Sequence, residues 1–261
     1  MALKSAAAVR LAVESALSGR VIAPFQYRDR RVLEAAPTGV AAVDVLTGGL
    51  PRGGMTEIFA PAGAGKTSLL TAALAARTQA AEACALVDAR DRFDPETAEA
   101  AGVHLERLLW VRCREISQVL RATDLLLQGG GFGMIAVDMS DIAPRLVRLV
   151  PLNVWFRWRR VVENTQTILV LMGRESNART CSSLVLRLES EQAQWALTGG
   201  DPQQTVARLL EGSTNGVERV RTRRREESWI KPEDRGEEKT RFFTQITNKY
   251  GSGDNSRKKK T

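Results

Sequence analysis

An α/β architecture with a mostly parallel sheet follows from three features of this 261-residue chain. Short, wholly apolar runs such as "ACALVDA", "MIAVD" and "TILVLM" recur between longer stretches of helix formers. Runs that apolar are strands covered on both faces, and helices between them make βαβ units whose strands are parallel. A glycine-rich turn, "APAGAGKT" at residues 60–67, joins one such strand to an alanine-rich helix. Length sets the scale, because a single core grows to roughly 250 residues before chains divide.

The elements follow in order. Residues 3–18 are helix formers with Val9, Val13 and Leu17 four apart and Gly19 as a stop, which predicts a short amphipathic helix. "APTGVAAVDVLTGGLPRGG", residues 36–54, reads as a short helix between turns. "MTEIFA" predicts a strand, "KTSLLTAALAARTQAA" a helix and "ACALVDA" a strand. "DPETAEAAG" predicts a short helix capped by Asp94, with Pro95 in the first position, where its missing N–H leaves no bond unmade. "LLWVR" is a strand, "EISQVLRATDLLLQ" a helix, "MIAVD" a strand ending in an acid, "PLNVWFRWRRVVEN" a helix begun by Pro151, and "TILVLM" a strand. Beyond Arg174, "SSLVLRLES" and "QAQWALT" alternate apolar with polar residues and predict antiparallel edge strands, with "VERVRTRRR" a further candidate. From residue 226 the text is charged and weakly patterned, and predicts a disordered tail that cannot offset its ordering entropy by burial.

Composition excludes several classes. At 43% hydrophobic and 26% charged residues the chain is ordinary for a globular protein. Its apolar runs fall short of the roughly 18 residues a membrane span needs, and Lys4, Arg10 and Glu14 interrupt the amino-terminal one, so neither a span nor a signal peptide is expected and the location is read as cytoplasmic. Cys84, Cys113 and Cys181 match no metal spacing and read as reduced core residues. His104 is the only histidine, which removes histidine pairs from consideration. The net charge of +8 is concentrated: residues 221–261 hold thirteen Lys or Arg against seven Asp or Glu, a net +6. A second excess lies in residues 142–162, with five arginines and no acid.

Chemistry concentrates in residues 60–67. Ala60, Pro61, Ala62, Gly63, Ala64, Gly65, Lys66 and Thr67 spell the G-x-x-x-x-G-K-[ST] phosphate loop with alanine in the first place, and Ser68 follows on the helix. Small residues let successive N–H groups converge on a phosphate, the lysine reaches the β and γ oxygens, and the Thr67 hydroxyl can ligate Mg²⁺. The helix that follows points its positive end at the anion. Asp138, ending "MIAVD", is placed to hold the same ion opposite Thr67. A nucleoside triphosphate with Mg²⁺ is therefore the expected ligand. Three regions are expected: residues 1–35 as helix and linker, 36–225 as nucleotide-binding core and 226–261 as basic tail.

With those residues in place the chain resembles the RecA superfamily. "TGVAAVDVLTGGLPRGGMTEIFAPAGAGKTSLL" is similar to the segment leading into that family's phosphate loop, and "ACALVDARDRFDPETAEAAGVHLERLLW" to the segment after it, so that the likeness covers about residues 36–190. In length and in its shortened second half the chain looks most like the ImuA proteins, RecA-like accessory factors of damage-induced (SOS) translesion synthesis. The resemblance implies a RecA-like core that binds ATP and works in DNA repair. It also implies partners: a translesion polymerase or RecA-type protein, single-stranded DNA, or further copies of itself. It makes Asp94 a contact to the base.

Departures from the family are chemically loaded. The glutamate that orients attacking water in the superfamily is Arg90 here, and a guanidinium cannot serve as a base. Asp91, the next residue, is the one candidate to replace it. Weak or absent hydrolysis is expected. Met172 and Gly173 stand where the family carries its γ-phosphate-sensing glutamine, the following loop is shortened to "RESNARTCS", and Thr97 replaces the adenine-stacking tyrosine. "WFRWRR" falls where the family has its first DNA-binding loop and the helix after it. Trp155, Arg157, Trp158, Arg159 and Arg160 either contact DNA or a partner, or form a helix whose tryptophans pack on the sheet while the arginines face water. The alternative to an accessory role is an active DNA-dependent ATPase or recombinase.

Overall fold

The computed structural model describes residues 34–198, 207–222 and 239–245, all within the unit Glu34–Thr261. The expected helix at residues 3–18 and most of the expected tail lie outside them. The chain opens with a small antiparallel pair, β1 (Ala35–Ala36) and β2 (Leu50–Pro51), around helix α1 (Ala41–Thr47). Then strand and helix alternate: β3 (Met55–Phe59), α2 (Lys66–Gln79), β4 (Cys84–Asp88), α3 (Pro95–Ala100), β5 (Leu108–Arg112), α4 (Ile116–Gly129), β6 (Met134–Asp138), α5 (Pro144–Arg148), α6 (Leu152–Val162) and β7 (Ile168–Gly173). β8 (Leu184–Thr198), β9 (Ala207–Thr222) and β10 (Lys239–Gln245) complete an eight-stranded sheet ordered β10-β9-β8-β3-β7-β6-β4-β5. All neighbours from β8 to β5 are parallel, and β9 is antiparallel to both β8 and β10.

Period-two alternation divides the core. Ile168, Val170 and Met172 of β7 face the layer formed with Leu69, Leu70, Ala73 and Leu74 of α2, whereas Leu169 and Leu171 face Val119 of α4 and Trp155 and Trp158 of α6. Both faces are covered, which is why these strands read as unbroken apolar runs. Asp94 caps α3 as expected, accepting from the Glu96 N–H at 3.2 Å.

The antiparallel half departs from expectation. The two edge strands predicted for "SSLVLRLES" and "QAQWALT" are one strand, β8, with irregularities between Ser190 and Gln192 and between Gln194 and Trp195. β9 begins ten residues before the predicted "VERVRTRRR", through a glycine-rich stretch that reads as a turn. Pairing on both sides overrides that local preference. Gly212 lies under the Phe243 ring, which would come within 2.3 Å of any Cβ there, so the glycine makes room for the aromatic. Within the stretch read as a disordered tail, Lys239–Gln245 is a strand. Phe242, only 6% exposed, supplies the burial that the charged text around it conceals.

Candidate nucleotide site

Residues 60–67 curve from the end of β3 into α2. Gly63 and Gly65 both have φ of +78°, the left-handed conformation that a side chain resists, and Gly65 caps α2. At Gly63 no atom lies within 4 Å of where a Cβ would stand, so the loop is open there. Ala60 and Ala64 are buried beneath it. Lys66 turns back across the strand ends, its Nζ donating to the carbonyls of Ala60 at 2.5 Å and Gly173 at 3.1 Å. Burial pushes the Lys66 ammonium below its ordinary range, Asp138 and Asp141 pull it back up, and Arg174 adds to the depression. Two of its three donors thus go to neutral carbonyls. A buried cation so placed, beside an open loop of positive-φ glycines and the N-terminus of a 14-residue helix, fits a phosphate chain.

Asp138 ends β6, and its carboxylate accepts the Ser140 N–H at 2.8 Å. Burial pushes its carboxyl above the usual range, and Asp88, opposite it in register on β4, pushes the same way; Ser140 and Lys66 pull it down. Thr67 is exposed at the start of α2. Among the described residues no group of three His, Cys, Asp or Glu side chains could hold a metal ion by itself. A magnesium ion here would need phosphate oxygens beside Thr67 and Asp138.

The other expected residues fall as follows. Arg90 is exposed in the loop after β4, its N–H given to Asp88 at 3.1 Å. Asp91 has φ of +57° and stands 3.7 Å from Arg112 of the edge strand β5, both side chains being largely exposed. Asp94 accepts the Thr97 hydroxyl in addition to its capping bond. Met172 is buried in the α2 layer and Gly173 offers only its carbonyl, so neither presents a side chain to a γ-phosphate. Trp155 and Trp158 are 1% and 0% exposed, edge to face at 5.2 Å, and the Trp158 indole donates to Asp124 at 2.7 Å. They are core, and stacking on bases is closed to them. Arg157 pairs with Asp124 at 2.6 Å and Arg159 with Glu163 at 3.0 Å, whereas Arg160 is exposed.

Three structural anchors escape the sequence reading. Asp88 gathers the N–H groups of Arg90, Arg92 and Phe93 and the Trp110 indole, setting the loop that carries Arg90 and Asp91. Glu57, 3% exposed in β3, accepts from Ser176 Oγ at 2.6 Å, Asn177 N–H at 2.6 Å and Ala178 N–H at 3.0 Å, and so clamps the loop after β7. An acid inside the apolar run "MTEIF" is the one signal for it. Asn215 of β9 and Phe242 of β10 lie against Gly65, 2.7 and 3.0 Å from where its Cβ would be.

Comparison with known proteins agrees with this geometry. The profile described as the RecA N-terminal domain matches residues 6–147. The chain is similar to Protein RecA of Streptomyces ambofaciens, 36% identical over 121 residues that make up 45% of this chain and 32% of that protein. With Protein RecA of Chloroflexus aurantiacus it is 32% identical over 130 residues, 49% of this chain and 37% of that protein. The matched stretch thus spans about a third of the length of these relatives.

Proposed function

The chain belongs to the RecA N-terminal domain family, and from that premise we propose that it is an ATP-binding protein of DNA repair in which the nucleotide is bound and turned over slowly or not at all. The observation that carries the reading is Lys66, a buried ammonium held to the strand ends by two neutral carbonyls. A triphosphate would take its remaining donor and the N–H groups of residues 62–67, with Mg²⁺ between the phosphates, Thr67 and Asp138. An ion held there would neutralise charge on the phosphates. At the position where the family readies the attacking water stands Arg90, which cannot accept a proton, with Asp91 beside it turned toward Arg112 at 3.7 Å.

Binding without turnover is sufficient for a scaffold. A ligand at a hundredfold excess over its Kd stabilises the fold that binds it by about 2.7 kcal/mol. An accessory role in damage-induced translesion synthesis, as in the ImuA proteins, with a polymerase or RecA-type partner recognising the nucleotide-bound shape, is the form of repair function we favour. Burial of Trp155 and Trp158 supports this over a filament-forming recombinase, since it removes the aromatic platform from the helix expected to meet DNA. The experiment is ATP binding and turnover with and without single-stranded DNA, with Lys66→Ala as control. Binding in the micromolar range, abolished in the variant, with negligible turnover is the expected result. Vigorous DNA-stimulated turnover would establish the recombinase instead.

A further inference from the structure

The face of α6 turned away from the sheet is apolar where a helix lying over a core is ordinarily polar. Val154, Trp155, Trp158 and Val162 fill its buried side. Leu152, Phe156 and Arg160, four apart and so stacked turn upon turn, line the opposite, exposed side. In the α5 turn before it Leu146 and Leu149 are exposed, whereas Val147 and Val150 are buried. The valines anchor the turn and the leucines are left to solvent. Nine large apolar side chains are exposed among the described residues, and four of them fall within residues 146–156: Leu146 at 40%, Leu149 at 76%, Leu152 at 44% and Phe156 at 48%. A single exposed leucine is ordinary, but a run of this kind marks a surface built to be covered.

The charge around this ridge has one sign. Residues 142–162 contain no Asp or Glu. The acids near it are already engaged: Asp141 by Arg92 and Arg174, Glu163 by Arg159, Glu175 by Arg148 and Asp124 by Arg157. Arg145 and Arg160, exposed before and after the four apolar residues, have no ion pair among the described residues. The support is rigid, since both tryptophans are buried and the Trp158 indole is bonded to Asp124 of α4.

We propose that the α5–α6 ridge docks a helical segment of another protein, one whose apolar stripe lies along Leu149, Leu152 and Phe156 and whose flanking Asp or Glu side chains meet Arg145 and Arg160. An apolar centre with a charged rim is the anatomy of a protein interface. A phosphate backbone would match the arginines but gain nothing from Leu149, the most exposed of the four. With both tryptophans buried, Phe156 is the one aromatic of α6 left to stack on a base. A second copy of this chain meeting through the same patch would set arginine against arginine. The surface owes nothing to the phosphate loop, so the inference goes beyond the nucleotide-binding reading and stands apart from it.

Selection from a displayed library of random peptides about 15 residues long, roughly four helical turns, tests it with the full chain as target and Leu149→Ser/Phe156→Ser as counter-target. Peptides retained by the wild type alone should carry apolar residues three and four apart among an excess of Asp and Glu. Their affinity should fall about tenfold in Phe156→Ala, the loss expected of an aromatic at the centre of an interface. In Arg145→Ala/Arg160→Ala it should fall about threefold, a difference that high salt removes. All four positions are exposed, and thermal denaturation verifies that each variant is folded; should one fail, the other carries the comparison. The same proteins are assayed with single-stranded DNA and with vesicles of anionic lipid. Recovery of no peptide specific to the wild type, of peptides without the acidic excess, or of peptides that bind the variants equally well overturns the proposal, as does a ridge that the variants show to hold DNA or vesicles instead.

Discussion

Burial carries the Cys84 thiol far from its solution behaviour. Its pKa is pushed up to about 12 from 9.0, chiefly by desolvation, with Glu82 nearby adding to the effect. Between those values the unfolded chain releases a proton that the folded chain keeps, so stability is intact below pH 9 and is lost as pH rises toward 12. The loss between pH 8 and 10 is on the order of 1 kcal/mol. Urea denaturation at the two pH values should show a steeper loss in the wild type than in Cys84→Ala, where Cys113, also raised by burial, still contributes; equal pH dependence in both would contradict it. Residues of this kind were legible singly: an apolar neighbourhood announces a buried cysteine, and Gly63 and Gly65 with Lys66 and Thr67 announce a phosphate loop. Glu57 was not, because its partners Asn177 and Ala178 are 120 and 121 positions away and nothing in the text joins them.

Elements on the parallel side could be read from the sequence because burial on both faces writes itself as apolar runs. "WFRWRR" could not be settled that way, since the same six residues serve a helix packed through Trp155 and Trp158 or one that grips nucleic acid; only the burial of both indoles decides it. The loop after β7 is the other element that the text understates. It reads as a remnant, yet three hydrogen bonds to Glu57 fix it. Glu57→Ala would leave buried N–H groups unpaired and is expected to cost about 2–4 kcal/mol. Denaturation should show that cost, and hydrogen exchange at residues 176–178 should quicken; unchanged exchange would mean the loop is held by something else.

On the scale of the whole molecule, the antiparallel strands do more than extend the sheet. β9 and β10 bring Asn215 and Phe242 onto Gly65, so the phosphate loop is braced by the part of the chain that reads as least structured. Phe242→Ala should cost about 3–4 kcal/mol and weaken ATP binding several-fold, followed by thermal denaturation and titration. A loss of stability with unchanged affinity would show that the aromatic merely fills the core. The brace also fixes an order of events during synthesis. At ordinary elongation rates the ribosome delivers Phe242 on the order of ten seconds or more after Gly65. Throughout that interval the nascent polypeptide carries its glycines and lysine without the aromatic part of this brace, and whatever meets it then, chaperone or nucleotide, meets a loop not yet closed over.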